Sequence, residues 1–255
     1  MTRGVVLFAH NNEHTDYYRM ASWTAERVSR FLDLPCTIIT DDTSITTNYK
    51  FDRVIIREPD RNNHRKQGKW INKGRYEVYT LTPYDDTIVL DTDYVINSAK
   101  LLKLFDYDTD FLCHRNCRYL MEDIKSEMLG KLSSQSFWAT VIRFTKTERT
   151  EQIFSMIEMV QNNYQHYANI HGFNPATYRN DYALTIALRT VNGQVEHKKD
   201  FIPWDLLHVS NNATVSKSTD TKYNLVATIN DRTTYITVDN CDFHMLHKDN
   251  LMEMI

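Results

Sequence analysis

A chain of 255 residues can bury a substantial core as one mixed domain. Its 30 basic and 33 acidic residues leave a formal charge of −3, which argues against a surface built throughout to hold nucleic acid and leaves room for a local basic patch. No apolar run approaches the roughly 20 residues that cross a bilayer. Four cysteines, Cys36, Cys113, Cys117 and Cys241, follow an N-terminus that runs straight into an apolar stretch, so a reducing, cytoplasmic setting is expected.

In chain order, "GVVLFAH" reads as a short β-branched strand. Tyr18, Ala21, Ala25, Val28 and Phe31 or Leu32 then recur at helical spacing. "CTIITDD" and "DRVIIRE" repeat the strand signal. "GRYEVYTLTPYD" predicts a helix closing near Thr82 and Pro83, and "TIVLDTD" a further strand. In the second half, "TERTEQIFSMIEMVQNNYQHYANI" predicts one long amphipathic helix and "NDYALTIALRTV" another, N-capped by Asn180 or Asp181. "KYNLVATIN" and "TYITVDNCDFHML" predict strands around the turn "NDR". Strands alternating with helices predict an α/β fold, a mixed and largely parallel sheet flanked by helices, with no visible domain boundary.

Cys113 and Cys117 bracket "HRN", but the spacing does not match a paired-cysteine zinc knuckle and no second pair follows, so ordinary thiols are expected. The carboxylates Asp91 and Asp93 are more informative. They stand at the end of an apolar strand, where ligands bind in open α/β sheets, and residues two apart share a strand face. Two like charges held together call for a cation between them, and carboxylate oxygen suits Mg²⁺ or Mn²⁺. A solvated turn with Asp91 as a helix cap is the bland alternative.

Residues 74–105, "GRYEVYTLTPYDDTIVLDTDYVINSAKLLKLF", resemble the central segment of nucleotide-sugar-dependent glycosyltransferases of the GT-A fold. That resemblance implies a Rossmann-type sheet and an Asp-X-Asp motif, Asp91 and Asp93, holding Mn²⁺ or Mg²⁺ against the diphosphate of a nucleoside-diphosphate sugar such as a UDP-sugar. "VVLFAHNNEHTDYYRMA" resembles the family's first strand and donor loop and "CTIITDD" its second strand, implicating Ala9, Asn11, Tyr17 and Asp41 in donor binding. "FHMLHKDNL" resembles the late segment that supplies a further metal ligand and a diphosphate-binding lysine, implicating His244 and Lys248, with His247 as the competing ligand. The glycine and tryptophan many members carry in that segment are absent. The helix opened by "PATYRNDYALTIAL" resembles the one beside the reacting centre, implicating Asp181 as the catalytic base. The division implied is a donor-binding half over about 1–110 and an acceptor half over about 111–255 of a single domain.

One segment is basic. "REPDRNNHRKQGKWINKGR" carries Arg57, Arg61, Arg65, Lys66, Lys69, Lys73 and Arg75 against Glu58 and Asp60. Lys73 or Arg75 is placed to meet the donor diphosphate, or residues 57–75 together follow a nucleic-acid backbone. The compact chain is similar to bacteriophage-encoded glycosyltransferases, some of which decorate hydroxymethylated bases, so DNA is the leading acceptor implied, ahead of a saccharide or protein. A nucleotidyltransferase, or a nucleic-acid-binding protein without catalysis on a similar fold, is the rival class.

Overall fold

The structure is a computed structural model and describes residues 1–45, 49–65, 68–121, 127–131, 134–229 and 231–255. Lys66 of the basic segment and Asn230 of the expected turn lie outside the described residues. The first part of the chain forms β1 (Arg3–Ala9), α1 (Tyr17–Leu32), β2 (Cys36–Thr40), β3 (Arg53–Ile56), β4 (His64–Arg65), β5 (Gly68–Lys69), α2 (Val78–Leu81), β6 (Asp86–Leu90) and β7 (Tyr94–Val95). Next come β8 (Phe111–His114), β9 (Cys117–Tyr119), β10 (Trp138–Thr145), α3 (Glu148–Asn162), α4 (Tyr164–His171) and α5 (Asn180–Val191). The chain continues through β11 (Leu206–Val209), β12 (Ala213–Lys217), β13 (Lys222–Ile229), β14 (Arg232–Asp239), β15 (Phe243–Met245) and α6 (Lys248–Met254).

The central sheet has the order β3-β2-β1-β6-β10-β8. Its first four strands are parallel, and β10 runs antiparallel to both neighbours. The mixed, largely parallel α/β sheet expected from the alternation is therefore what the chain forms. Val5, Leu7 and Ala9 of β1 pack on one face with Ala21, Ala25 and Val28 of α1. Val6 joins the opposite core, built with Ile153, Phe154 and Ile157 of α3 and Leu184 and Leu188 of α5. A strand buried on both faces explains why β1 reads as an unbroken apolar run rather than an alternation.

Helix α1 starts where Asp16 accepts the Arg19 N–H (3.1 Å) and stops at Asp33, which is left-handed at φ 51°. Gly4 is required on β1 because a Cβ there would lie 2.4 Å from the Tyr84 ring. Gly4→Ala is expected to cost about 1–3 kcal/mol by overpacking. Urea unfolding checks it, and an unchanged midpoint would mean that the ring simply moves aside.

A second sheet, β7-β15-β11-β9, stands beside the first. It packs with Met20 of α1, the meander β12-β13-β14 and Leu251 of α6 in a third apolar cluster. Among the described residues no helix is long and apolar enough to cross a membrane.

Several local expectations are corrected. The helix expected before Pro83 is a 3₁₀ turn, Arg75–Glu77, followed by the single turn α2. The long helix of the second half is broken at Asn163, whose side-chain amide donates to the Met159 carbonyl (2.9 Å) and so competes with the next helical turn. The expected strand through Cys241 is two strands in different sheets, separated where Asn240 takes φ 49°. Asp91 and Asp93 follow β6 in a turn rather than extending it, so strand alternation is not what aligns them.

Candidate metal and nucleotide site

The turn after β6 is fixed by main-chain bonds. Asp91 N–H donates to the Thr140 carbonyl of β10 (3.0 Å), and Tyr94 N–H to the Asp91 carbonyl (3.1 Å). From the other side, Met245 N–H donates to the Asp93 carbonyl (2.9 Å), while His244 of β15 stands opposite Tyr94 of β7. The sheet thereby carries His244 to the carboxylates. The ligand atoms of Asp91, Asp93 and His244 lie within 4.8 Å of one another. His244 Nε2 is 3.2 Å from Asp93 Oδ1 and 3.9 Å from Asp91 Oδ2.

Two cations complete the group. Lys248, the first residue of α6, donates from Nζ to Asp93 Oδ2 (2.6 Å), and Arg75 pairs with Asp91 Oδ1 (2.6 Å). The two carboxyls are driven in opposite directions. Burial raises Asp91, and the Asp93 charge adds to this against the Arg75 guanidinium. Burial would raise Asp93 as well, but Lys248 and His244 outweigh it and hold that carboxyl far below the usual carboxylate range. Burial would lower both His244 and Lys248; the neighbouring carboxylates reverse this and raise each above its ordinary value.

These groups line one open cleft. Tyr17 and Asp181 also line it, as does Trp70 with Arg65 at 4.9 Å over its ring. Asp181 sits inside the first turn of α5 rather than at the cap, which is Arg179. Its Oδ1 accepts the Ala139 N–H (2.9 Å) and its Oδ2 is 3.5 Å from the Arg179 guanidinium, which also pairs with Glu127 (2.9 Å).

Other expected site residues lie off this cleft. Ala9 is buried in the sheet. Asn11 accepts the Tyr18 N–H and lines a second cavity with Tyr18, Trp23 and Asp42. Asp41 accepts the Tyr18 hydroxyl (2.6 Å) and pairs with Arg61. Lys73 is held by Asp60 and the Asn62 carbonyl, both at 3.0 Å. Of the basic segment, Arg57, Arg61, Lys73 and Arg75 each pair with an acid of this chain, so most of its described charge is already matched. His247 turns away, its Nδ1 on the Ala213 carbonyl (3.1 Å), so geometry favours His244 over it as the third donor.

Glu127, Arg179 and Trp138 also line the cleft, and His208 lies behind it against His244, none of them singled out by the sequence. Arg179 had a signal, two residues before Asp181; the rest are brought in by long-range pairing. Asn63 joins the basic segment to the start of α5, accepting the Tyr178 N–H (2.8 Å) and donating to its carbonyl (3.1 Å).

No family model matches this sequence, and no curated protein matches it. Among solved structures, the chain is similar to the apo glycosyltransferase GlyE of Streptococcus pneumoniae TIGR4, with 15% identity and a TM-score of 0.42 over 74% of this chain and 44% of that one. It is also similar to mouse xyloside xylosyltransferase 1, with 12% identity and a TM-score of 0.47 over 77% of this chain and 84% of that one. A third is galactosyltransferase LgtC in complex with donor and acceptor sugar analogues, with 14% identity and a TM-score of 0.41 over 72% of this chain and 70% of that one. The matched part of this chain thus spans less than half the length of the GlyE chain.

Proposed function

We propose that this chain is a metal-dependent glycosyltransferase of GT-A type that moves a sugar from a nucleoside-diphosphate sugar, UDP-linked in the leading form, to an acceptor hydroxyl. The observation that carries it is the convergence of Asp91, Asp93 and His244 within 4.8 Å, flanked by Lys248 and Arg75 in one cleft. Two carboxylates and an imidazole form a donor set suited to Mn²⁺ or Mg²⁺. When bound, such an ion supplies positive charge to the diphosphate.

The remaining roles fall to this chain's own groups. Lys248 and Arg75, now on the carboxylates, share the charge that builds on the departing nucleoside diphosphate. Tyr17 lines the cleft beside Lys248. Asp181 takes the acceptor proton through Oδ2, since Oδ1 is committed to Ala139. Asp181→Asn, which keeps the Ala139 bond, is expected to lower turnover by about 10²-fold, the low end for a general base. Normal turnover in steady-state assays of this variant would remove Asp181 from the chemistry.

DNA with hydroxymethylated bases remains the acceptor form suggested by residues 57–75. With four of those cations matched internally, it draws on Arg65 and Lys69, and its affinity is expected to fall only gently with salt. Saccharide and protein hydroxyls are the competing acceptors.

The test of the function is thermal unfolding with Mn²⁺ alone, UDP alone and both. Ligand at about 100 times its Kd stabilises the native state by about 2.7 kcal/mol. A joint shift larger than the two single shifts together is expected. No shift in any condition would overturn the reading, and release of pyrophosphate instead of a nucleoside diphosphate would turn it into nucleotidyl transfer.

A further inference from the structure

Behind His244 lies a buried aromatic cluster that the proposed chemistry leaves unused. His208 on β11 is fully buried, as is His114 at the end of β8. Strands β11 and β15 are parallel neighbours with His208 and His244 in register. His208 Nε2 lies 3.4 Å from His244 Nδ1, and the two rings cross at 80°. The Trp138 and Tyr119 rings wall His208 edge-on, with centroids at 4.5 and 5.0 Å. Among the described residues, His208 Nδ1 has no hydrogen-bond partner, nor has either nitrogen of His114 or the Trp138 indole nitrogen. Buried polar groups left unpaired cost stability, so such a cluster calls for a reason.

A neutral imidazole has one N–H and one lone pair. For His244 to offer the Nε2 lone pair to a cation at Asp91 and Asp93, its proton must sit on Nδ1, and that proton needs an acceptor that fixes the ring. The partners of Nδ1 are the Thr140 hydroxyl at 3.5 Å and His208 Nε2 at 3.4 Å. We infer that His208 is a positioning residue: its Nε2 lone pair accepts the His244 Nδ1–H and so holds the tautomer that presents His244 Nε2 to a divalent cation. The proton of His208 then stays on Nδ1, the atom with no protein partner. The hydroxyl of Thr140 is the weaker acceptor because it rotates freely, whereas His208 is clamped by its strand pairing and by two rings.

This inference rests on the metal reading above, and the experiment separates the two. Mn²⁺ binding is followed by the electron paramagnetic resonance signal of the free ion for wild type, His208→Phe and His208→Gln, together with melting temperatures in the absence of ion. Phenylalanine keeps the volume without an acceptor; glutamine returns an oxygen near the Nε2 position. His208→Phe is expected to bind Mn²⁺ about 10–100-fold more weakly, His208→Gln close to wild type, with both folded.

A folded His208→Phe with wild-type affinity overturns the inference alone. Wild type that binds no Mn²⁺ overturns the metal reading and this one with it. Should His208→Phe fail to fold, ¹⁵N spectra of histidine-labelled wild type with Mg²⁺ decide the matter: protons on Nδ1 of both His244 and His208 support the relay, and a proton on His208 Nε2 overturns it.

Discussion

Asp93→Asn is expected to abolish the joint Mn²⁺ and UDP stabilisation and to lower turnover by about 10²–10³-fold or more, because it removes the charge that holds Lys248 and His244 in place. Sequence alone suggests that deleting one of two adjacent carboxylates relieves repulsion. The structure reverses that expectation, since Asp93 is already neutralised on both of its oxygens and is buried. The variant therefore loses about 1.5–3 kcal/mol, the scale of hydrogen bonds to charged groups.

The pH dependence provides a signature. A carboxyl whose folded pKa is depressed contributes stability above its unfolded value and loses that contribution as pH falls toward the folded one. The gap between wild type and Asp93→Asn in urea unfolding should hold steady above about pH 4, the region of a free aspartate, and shrink only below it. A gap that instead shrinks as pH rises through and above the histidine range would assign the effect to His244, whose raised imidazole contributes stability only while it is protonated.

The largest stability effect is expected at the centre of the main sheet. Arg143 of β10 grips Asp86 of β6 with two bonds of 2.7 Å, and the side chains are 5% and 1% exposed. Asp86→Ala leaves a guanidinium buried with only the Thr109 carbonyl for company and is expected to cost about 3–5 kcal/mol. Removing both charges with Asp86→Val and Arg143→Met should recover most of that loss, because a buried ion pair is often no better than a packed apolar one. Equilibrium denaturation of the two variants decides it. A single variant that loses less than about 1 kcal/mol, the scale of an ordinary surface pair, would mean that water reaches the stranded guanidinium. Neither residue lines the cleft, so Mn²⁺ binding should survive in the double variant.

The parts of this molecule that were legible in its sequence were those governed by local rules. The β1 run, the α1 periodicity and the Asp91–Asp93 pair after an apolar strand each follow from spacing, and His244 and Lys248 from a resemblance carried by their own segment. What stayed hidden depends on distant partners. Nothing near His208 says that its strand will lie against that of His244. Matching of the basic segment was invisible for the same reason: Arg61 meets Asp41 and Arg57 meets Glu77 only after folding. A run of like charge in sequence therefore overstated the field it presents.

The pairing of β7 with β15 also has a consequence in time. Tyr94 and His244 are partners in one short ladder, and the Lys248–Asp93 bond closes a separation of 155 residues. Closing so long a loop carries an entropic cost that local contacts do not, and such contacts tend to form late. Each part of the proposed cation site before that moment is half a site: a pair of acids in a turn, and a histidine more than half the chain away. In a refolding experiment, affinity for Mn²⁺ should thus emerge with the slowest phase rather than with the early collapse, making the ion a reporter of finished chains.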